Sequence, residues 1–366
     1  MKTIAIDCRP LQDGSKTRGI GSYLRNLLKN LQNTTTINVC IFTDKSMGAI
    51  EDNFGFNNLE FSPPLIKINY TKEVIKFLHN KNIDLFHFSA QYNIFKDFNF
   101  PYTVTVHDIM NFALKDMHFG SEKDYLYELK KMKNNLGFAR KIASDSNSTK
   151  EDIQKYLSID PSKIEVIYIG KNQHPKSMSE NIQGLNKPTK PYILYVGTFE
   201  SRKNIERMIL AFLEFNSVNK YQFVIVAAYN KTLPSNIYNL VKNRISEFIF
   251  PNYVSDQELN YLYKNAELLF FATLYEGFGL PILEAMSLNT LVITSTTSSM
   301  PEVGQDAVYY VDPYDIIAMK EGLHEMTENK ETQNKLKQNY QKVLDTFSWK
   351  KCGKAMISFW ESSKGL

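Results

Sequence analysis

The residues that could do chemistry are most concentrated in the segment 276–284, EGFGLPILE, which directly follows an apolar run. Gly277 and Gly279 permit backbone angles closed to other residues, and Pro281 suits the first turn of a helix. A strand, a glycine loop and a helix start form an anion site, because free backbone N–H groups and the helix dipole point at the loop. Glu276 and Glu284 can then bracket one ligand from opposite ends. The alternative is an ordinary turn whose glutamates are solvated or cap the helix.

A second group of polar residues, 197–204 (GTFESRKN), follows the first apolar run of the second half of the chain. Arg202 supplies a planar fork of donors and Lys203 a point charge, so the pair could neutralise a diphosphate. Their position between a predicted strand and a predicted helix supports this interpretation more than their charge does. A basic dipeptide alone is most often a solvated surface feature.

In the first half, His107 ends the apolar run Thr103–Val106 and is expected at the carboxyl end of a strand. A histidine there can face a ligand, or it can be a structural residue bonded to a backbone carbonyl. His87 follows another strand and is interpreted as structural. Gly19 and Gly21 precede the first helix, a spacing that weakly indicates a phosphate loop and more often marks a turn.

Short apolar runs alternate with longer segments of helical period along nearly the whole chain, which predicts parallel α/β units. The predicted strands of the first half are Thr3–Ile6, Val39–Phe42, Leu85–Phe88, Tyr102–Val106, Ile142–Ser144 and Ile164–Tyr168. Those of the second half are Tyr192–Val196, Phe223–Ala227, Glu247–Phe250, Leu268–Ala272, Leu291–Thr294 and Val308–Val311. Predicted helices include Ile20–Leu31, Ser148–Leu157 with a Ser148/Glu151 capping box, Asn204–Phe215, Ile237–Ile245, Asp256–Lys264 and Leu280–Leu288.

The polar, proline-containing stretch 171–190 predicts a linker between two doubly wound sheets. Ligands bind open parallel sheets at the carboxyl ends of their strands. We therefore expect the two sheets to face a central cleft that holds the ligand.

Composition narrows the classes of protein further. The 366 residues are globular in composition, with 43% hydrophobic and 22% charged residues, and suffice for two domains. A net charge of +4 gives no electrostatic case for a nucleic-acid partner. That surplus lies in residues 1–180, which hold 24 Lys and Arg against 20 Asp and Glu. Three widely spaced cysteines argue against a disulfide framework or structural zinc, and no apolar stretch is long enough for a spanning helix.

The segment 125–141 carries lysines among apolar residues at helical spacing, including Lys130, Lys131 and Lys133. A basic amphipathic helix can lie on an anionic bilayer. The alternative is the solvated face of an ordinary helix.

Taken together, the motifs resemble those of the retaining family-4 glycosyltransferases with the GT-B fold. The resemblance rests on RGIGSY at 18–23, VHD at 106–108, SDSNSTKEDI at 144–153, KIEVIYIG at 163–170, YVGTFESRKN at 195–204, EGFGLPILE at 276–284, MPEVGQDAVYYVDP at 300–313 and FSWKK at 347–351. Their order and spacing span nearly the whole chain. The resemblance implies an acceptor-binding Rossmann-like domain at 1–170, a nucleotide-sugar-binding Rossmann-like domain at 191–349, and a C-terminal helix at 350–366 that packs back on the first domain.

The resemblance also implies roles for individual residues. Arg202 and Lys203 would hold the donor diphosphate, Glu276 would contact hydroxyls of the donor sugar, and His107 would lie near its anomeric centre; these four form the implied catalytic set. Glu284 would bind the ribose. Donor-binding positions further comprise Gly19, Gly21, Thr198, Phe278, Gly279 and Leu280. Thr198 stands where many relatives have an arginine, so Arg202 and Lys203 are expected to carry more of the phosphate binding.

Family members retain the anomeric configuration and need neither a divalent metal nor another cofactor. The motifs of this chain look most like those of bacterial mannosyltransferases. Such enzymes use GDP-mannose as the donor to build surface polysaccharide, such as lipopolysaccharide or capsule. The acceptor would be a glycan, free or on a polyprenyl diphosphate, and the enzyme would be cytoplasmic, with peripheral contact on the inner face of the membrane.

Three alternatives remain open from the sequence. The donor could be UDP-glucose, a UDP-N-acetylhexosamine, GDP-fucose or TDP-rhamnose. The protein could instead be a nucleotide-sugar epimerase of the same fold. It could also be a non-catalytic scaffold of a polysaccharide complex, although the intact basic and acidic site residues argue against decay.

Overall fold

The structure, a computed structural model, describes residues 2–17, 19–31, 37–64, 69–171, 187–230 and 232–363. The chain divides into two compact units. Unit 1 comprises Met1–Gly170 with Phe347–Leu366, and unit 2 comprises Lys171–Thr346. Most of the predicted linker, residues 172–186, lies outside the described residues.

Unit 1 is built on a sheet of seven described strands, all paired in parallel. The strands are β1 Thr3–Asp7, β2 Asn38–Asp44, β3 Asn57–Phe61, β4 Leu85–Phe88, β5 Tyr102–Val106, β6 Ile142–Ser144 and β7 Ile164–Val166. The helices are α1 Gly19–Leu31, α2 Tyr70–Asn80, α3 Met110–Ala113, α4 Lys115–His118, α5 Glu122–Phe138 and α6 Asn147–Leu157. Short 3₁₀ turns include Arg9–Leu11, Gly14–Thr17 and Gln91–Asn93.

The strand order β3-β2-β1-β4-β5-β6-β7 reverses direction between β1 and β4. This reversal is the topological switch point, where the loops after two neighbouring strands diverge and leave room for a ligand. The strands are almost fully buried on both faces, as expected for a parallel sheet covered by helices. One side of the core is rich in phenylalanine rings that meet edge to face, such as Phe86 and Phe88 with centroids 4.8 Å apart.

Unit 2 repeats the architecture with six described parallel strands in the order β10-β9-β8-β11-β12-β13. The strands are β8 Tyr192–Gly197, β9 Gln222–Ala227, β10 Phe248–Ile249, β11 Leu268–Phe271, β12 Leu291–Ser295 and β13 Tyr309–Val311. The helices are α7 Ile205–Phe215, α8 Ser235–Val241, α9 Asp256–Asn265, α10 Leu280–Ser287, α11 Met300–Gly304, α12 Ile316–Glu328, α13 Lys330–Lys337 and α14 Tyr340–Thr346. Here the switch point lies between β8 and β11. The expected α/β class with two Rossmann-like sheets is confirmed.

The last helix, α15 Trp349–Ser362, belongs to unit 1 although it follows unit 2 in the chain. Two glycines allow its close approach. A Cβ on Gly170 would lie 2.1 Å from the backbone nitrogen of Trp349, and one on Gly353 would lie 2.8 Å from the carbonyl oxygen of Asn30 in α1. Residues 364–366 of the predicted helix 350–366 lie outside the described part of the chain.

Three local predictions were wrong. Strand β3 was missed because it is a polar edge strand in which only Leu59 and Phe61 are buried. Helix α6 is capped by Ser146, whose side chain accepts a hydrogen bond from the backbone of Thr149, and not by Ser148. The predicted helix Ile237–Ile245 ends as an α-helix at Val241, after which Arg244 adopts φ −134° within a 3₁₀ segment.

Arg244 leaves the helical path because its guanidinium binds elsewhere. It pairs with Glu247 and donates to the carbonyl oxygens of Leu213 and Asn216. In the described part of the chain, no helix combines the length and the apolarity that crossing a bilayer would need.

Candidate active site

The switch point of unit 2 brings together two basic side chains and one carboxylate. Arg202 and Lys203 lie in the 3₁₀ turn after β8, and Glu276 follows β11, the neighbouring strand. Lys203 Nζ lies 2.6 Å from Glu276 Oε1, and Arg202 Nη1 lies 3.2 Å from Glu276 Oε2. Each of the three side chains is 10–15% exposed. The carboxylate therefore occupies the position between two cations that an external anion would also favour.

Arg202 is held in place by further contacts. Its Nε donates to Glu200 Oε2 at 2.8 Å, and Nη1 also donates to the carbonyl oxygen of Tyr275 at 3.3 Å. Although partial burial opposes the change, the Arg202 charge lowers the pKa of Glu200. The guanidinium is thus fixed in orientation before any ligand arrives, which reduces the entropy lost on binding.

The glycine loop after Glu276 is fixed by two serines that follow β12. Ser299 Oγ donates to the carbonyl oxygens of Glu276 and Phe278 at 2.9 and 2.8 Å, and Ser298 Oγ also donates to that of Glu276. Gly279 is the N-cap of α10 with φ +109°, and a Cβ there would lie 2.6 Å from Met300 Cε. Only glycine fits this position without strain.

Helix α10 begins at Leu280. Its N-cap residue, Gly279, has no side chain that could cap the helix. The first N–H groups of a helix have no partner within the helix, and the helix dipole makes this end positive. In the helix, Glu284 accepts a hydrogen bond of 3.0 Å from the hydroxyl of Tyr263 in α9. Burial is the main cause that raises the pKa of Tyr263, and the Glu284 charge raises it further. The raised pKa keeps this hydroxyl a donor.

In unit 1, His107 follows β5 and both of its ring nitrogens face acceptors. Nδ1 lies 2.7 Å from Asp145 Oδ2, and Nε2 lies 3.0 Å from the carbonyl oxygen of Ser89. Burial alone would lower the pKa of His107, but the Asp145 carboxylate outweighs it and raises that pKa. Both ring nitrogens can donate to these two acceptors only in the imidazolium form, which the raised pKa favours.

This geometry gives His107 the backbone-carbonyl bond that the structural interpretation of the sequence required. The ring is also packed edge-on against Tyr23, with centroids 4.7 Å apart, and its side chain is 14% exposed. The exposed part of this side chain is still accessible for contact with a sugar.

His87 is fully buried, in agreement with its structural interpretation. Its ring nitrogens lie 3.0 Å from Thr103 Oγ1 and 3.2 Å from Thr105 Oγ1, both on β5. Burial, together with the nearby His107, lowers the pKa of His87 to about 3. The ring is neutral and links β4 to β5.

The two N-terminal glycines have different surroundings. A Cβ on Gly21 would lie 2.5 Å from the carbonyl oxygen of Lys16, so this glycine lets the 3₁₀ turn Gly14–Thr17 pack on the first turn of α1. A Cβ on Gly19 would meet no described atom within 4 Å. Gly21 thus has a packing role, whereas Gly19 borders open space.

Comparison with known proteins now adds to this geometry. The family model Glycosyltransferase Family 4 matches residues 17–172, and the model Glycosyl transferases group 1 matches residues 177–343. One domain of each of these two glycosyltransferase families therefore makes up most of the chain. The two matches fall on unit 1 and unit 2 respectively.

Two curated glycosyltransferases illustrate the similarity. The chain is 31% identical over 224 residues to O-antigen chain mannosyltransferase B from Escherichia coli, covering 59% of this chain and 58% of that protein. It is 33% identical over 219 residues to O-antigen chain mannosyltransferase RfbU from Salmonella typhimurium, covering 58% and 57%. The matched region thus spans a little more than half the length of these relatives.

A solved glycosyltransferase structure shares the fold over almost the whole chain. Sucrose-phosphate synthase from Thermosynechococcus elongatus matches with a TM-score of 0.76 at 20% identity, covering 99% of both chains. The GT-B fold expected from the sequence is confirmed.

The structure brings several of the predicted residues of unit 2 together. Arg202, Lys203 and Glu276 form one cluster, and Phe278, Gly279 and Leu280 form the loop and helix start beside it. Thr198 lies after β8, and its carbonyl oxygen accepts a hydrogen bond of 2.8 Å from Tyr195.

Sequence reasoning missed several residues that contact the candidate site residues: Asp145, Ser89, Tyr263, Ser298 and Ser299. A signal for Asp145 was present. In the parallel register of β5 and β6, Val106 lies opposite Ser144, so the residues that follow them, His107 and Asp145, are neighbours. The serines gave no comparable signal, because their partners are backbone carbonyls whose positions depend on the folded loop.

Proposed function

We propose that this protein is a retaining hexosyltransferase, with GDP-mannose as its preferred donor, that extends a glycan in bacterial surface-polysaccharide synthesis. The observation that carries the proposal is the convergence of Arg202 and Lys203 on Glu276 beside the start of α10. Fixed cations and a helix N-terminus stabilise the charge that develops on a departing diphosphate. The similarity to two O-antigen mannosyltransferases supports mannose as the sugar.

In this proposal, Arg202 and Lys203 exchange their carboxylate partner for the donor diphosphate, and Glu276 turns to hydroxyls of the donor sugar. Glu284 binds the ribose. The backbone around Phe278, Gly279 and Leu280 contacts the sugar and the phosphates. In unit 1, His107 lies near the anomeric carbon and Gly19 provides space.

The proposed reaction needs no protein nucleophile. The bond from the anomeric carbon to the diphosphate oxygen breaks, and its electron pair leaves with the nucleoside diphosphate. The acceptor hydroxyl attacks on the same face, and its proton passes to the leaving phosphate oxygen. Because positive side chains and backbone N–H groups compensate the charge, we propose that no divalent metal or other cofactor takes part.

A thermal-shift panel of nucleotide sugars tests the donor. At a ligand concentration 100 times its Kd, the matching donor should stabilise the protein by about 2.7 kcal/mol. We expect the largest shift with GDP-mannose and smaller shifts with UDP-glucose, UDP-N-acetylglucosamine, GDP-fucose and TDP-rhamnose. A larger shift with a UDP or TDP sugar would replace the donor, and no shift with any of them would contradict the proposed function.

We further propose that the acceptor is carried by a polyprenyl diphosphate and that the enzyme works in the cytoplasm at the inner membrane face. Helix α5 supports this, because Leu126, Tyr127 and Phe138 are 52%, 68% and 79% exposed among exposed lysines. Lys131 is paired with Glu128, which leaves Lys130 and Lys133 as the better candidates for lipid phosphates.

Co-sedimentation with anionic liposomes tests this contact. The double variant Lys130→Glu/Lys133→Glu should lose most of its liposome binding. The matched control is Lys72→Glu/Lys76→Glu, which reverses two exposed charges on α2 of the same unit. Equal binding by the wild type and both double variants would contradict the membrane assignment of α5.

A further inference from the structure

In the proposed function the His107 ring lies near the anomeric carbon, so the orientation of this ring matters for transfer. Its two nitrogens are held by Asp145 and by the carbonyl oxygen of Ser89, at 2.7 and 3.0 Å. Both hydrogen bonds act roughly in the plane of the ring, because imidazole N–H groups point outward in that plane. Hydrogen bonds tolerate a deviation of about 30° from linearity, so these two bonds alone leave the ring some freedom to tilt.

The aromatic ring of Tyr23 in α1 limits this tilt. Its centroid lies 4.7 Å from that of His107, and the two rings are nearly perpendicular, at 75°. Edge-to-face contact is an arrangement that aromatic pairs prefer. Tyr23 is 3% exposed, so its ring is enclosed by close-packed neighbours. A tilt of the imidazole would therefore push its atoms against a side chain that has little room to move.

The hydroxyl end of Tyr23 is fixed by a chain of hydrogen bonds that reaches into the sheet. Tyr23 Oη lies 3.0 Å from Thr105 Oγ1 on β5, two residues before His107. Thr105 Oγ1 in turn lies 3.2 Å from His87 Nε2 on β4. Tyr23, Thr105 and His87 are all buried. The neutral His87, which has no role in the proposed reaction, thus helps to hold the side chain that packs on His107.

A second ring, that of Trp349, packs on Tyr23 with centroids 6.0 Å apart and an angle of 55° between the rings. Trp349 is the first residue of α15, the helix that belongs to unit 1 although it follows unit 2 in the chain. It is 4% exposed. Its buried indole N–H has no hydrogen-bond partner among the described residues, so this side chain contributes by packing.

We propose that Tyr23 is a positioning residue that fixes the tilt of the His107 ring during sugar transfer, with Trp349 as its support. The proposal rests on the proposed glycosyltransferase function and adds two residues that are too deeply buried to touch the donor or the acceptor. Misplacing a reacting group by about 1 Å can lower a rate by about 100-fold. A tilted His107 would therefore lower turnover even though every substrate-binding side chain is still present.

Steady-state kinetics with the full chain, GDP-mannose and an α-mannosyl disaccharide as acceptor test the effect on transfer. Tyr23→Leu should lower kcat about tenfold while the donor KM stays close to its wild-type value. Tyr23→Phe keeps the ring and should retain most of the wild-type kcat. Trp349→Leu should lower kcat in the same direction as Tyr23→Leu.

The matched control is Phe61→Leu, which removes another buried ring of unit 1. Phe61 lies on β3, which three strands separate from β5 in the sheet. This change should lower Tm, as Tyr23→Leu also should, but it should leave kcat at the wild-type value. The comparison separates a loss of stability from a loss of positioning.

Hydrogen exchange of the His107 ring N–H groups tests the positioning without any turnover. It can be followed by NMR on protein that carries ¹⁵N in its histidines. Tyr23→Leu should speed this exchange about tenfold, because a ring that tilts opens its hydrogen bonds to Asp145 and Ser89 more often. Tyr23→Phe and Phe61→Leu should exchange at the wild-type rate.

An unchanged exchange rate in Tyr23→Leu would overturn the proposal, as would an equal loss of kcat in Tyr23→Leu and Phe61→Leu. A wild-type kcat in Trp349→Leu would overturn the support assigned to Trp349. If the wild type turned over no nucleotide sugar, the proposed function would fail. The exchange rates would still decide whether Tyr23 fixes the ring.

Discussion

At the scale of single residues, Glu276 sets the charge balance of the proposed donor site. In the structure its carboxylate pairs with both Arg202 and Lys203, and all three side chains are largely buried. Partly buried cations are costly to leave without a partner. The cluster is therefore stabilised by an internal anion, which the donor diphosphate replaces in our proposal.

Glu276→Gln should separate these two effects. Removing the carboxylate takes away the acid 2.6 Å from Lys203 and leaves Arg202 paired with Glu200, so we expect a loss of about 1–3 kcal/mol in the free energy of unfolding. The same variant should bind free GDP more tightly than the wild type, because the nucleotide no longer competes with a carboxylate, while sugar transfer falls sharply. Chemical denaturation and titration calorimetry measure the two quantities. Glu214→Gln, which changes the partner of Lys320 at 3.9 Å, is the control; weaker GDP binding by Glu276→Gln would contradict the exchange.

Lys203→Ala tests the proposed diphosphate contact by removing the cation instead of the carboxylate. A charge-assisted hydrogen bond to phosphate contributes about 1.5–3 kcal/mol, so the donor KM should rise at least about tenfold. Steady-state kinetics at saturating acceptor measure it, with Lys320→Ala as the matched removal of a lysine paired with an acid in unit 2. Unchanged donor KM and kcat would show that Lys203 does not hold the diphosphate.

His107 and Asp145 predict a pH dependence of stability. The pKa of His107 is raised in the folded chain because, despite burial, Asp145 favours its charged form. The stabilisation is therefore complete below the unfolded histidine pKa of about 6.5 and is lost as the pH rises through the higher folded value. The difference in Tm between the wild type and His107→Gln should be largest near pH 6 and shrink toward pH 9. A difference that grows with pH would contradict a charged ring.

At the scale of elements, the glycine loop and the start of α10 position the donor site. Gly279→Ala places a Cβ 2.6 Å from Met300 Cε at φ +109°, so we expect a loss of about 1–3 kcal/mol in unfolding free energy and weaker donor binding. Gly137→Ala is the control, because it lies within α5 with no described atom within 4 Å of the added Cβ. That change should be neutral or stabilising by up to about 1 kcal/mol. Equal effects of the two substitutions on thermal unfolding would argue against a strained loop.

The elements that the sequence predicts well are those with a strong local pattern. Strands such as β5, whose five residues are all buried, carry a continuous apolar run, and α1 follows a clear helical period. Strand β3 has no such run, because it lies at the sheet edge and exposes most of its residues. Ser146 and Ser148 are both plausible caps in the sequence, and only the end of β6 determines which one begins the helix.

The candidate site follows the same division. Glu276, Arg202, Lys203 and Gly279 could be selected because each lies in a loop that follows a predicted strand. Their mutual pairing could not, since the distance between Lys203 and Glu276 depends on β8 and β11 being neighbours.

At the scale of the whole molecule, two Rossmann-like units account for nearly all described residues, and each matches a glycosyltransferase family model. The charge surplus of residues 1–180 agrees with a proposed anionic, membrane-bound acceptor for unit 1. The two halves of the chain therefore differ in net charge as well as in sequence. In unit 2, Arg202 and Lys203 are the cations that we propose for the donor diphosphate.

One measurement tests the central claim most directly: an NMR time course of GDP-mannose with the protein, with and without an α-mannosyl disaccharide acceptor. The account predicts that GDP appears in step with a new glycoside whose linkage keeps the α configuration of the donor, and that this product requires the acceptor. A β-linked product, or a donor that remains intact with every acceptor and nucleotide sugar supplied, would contradict it.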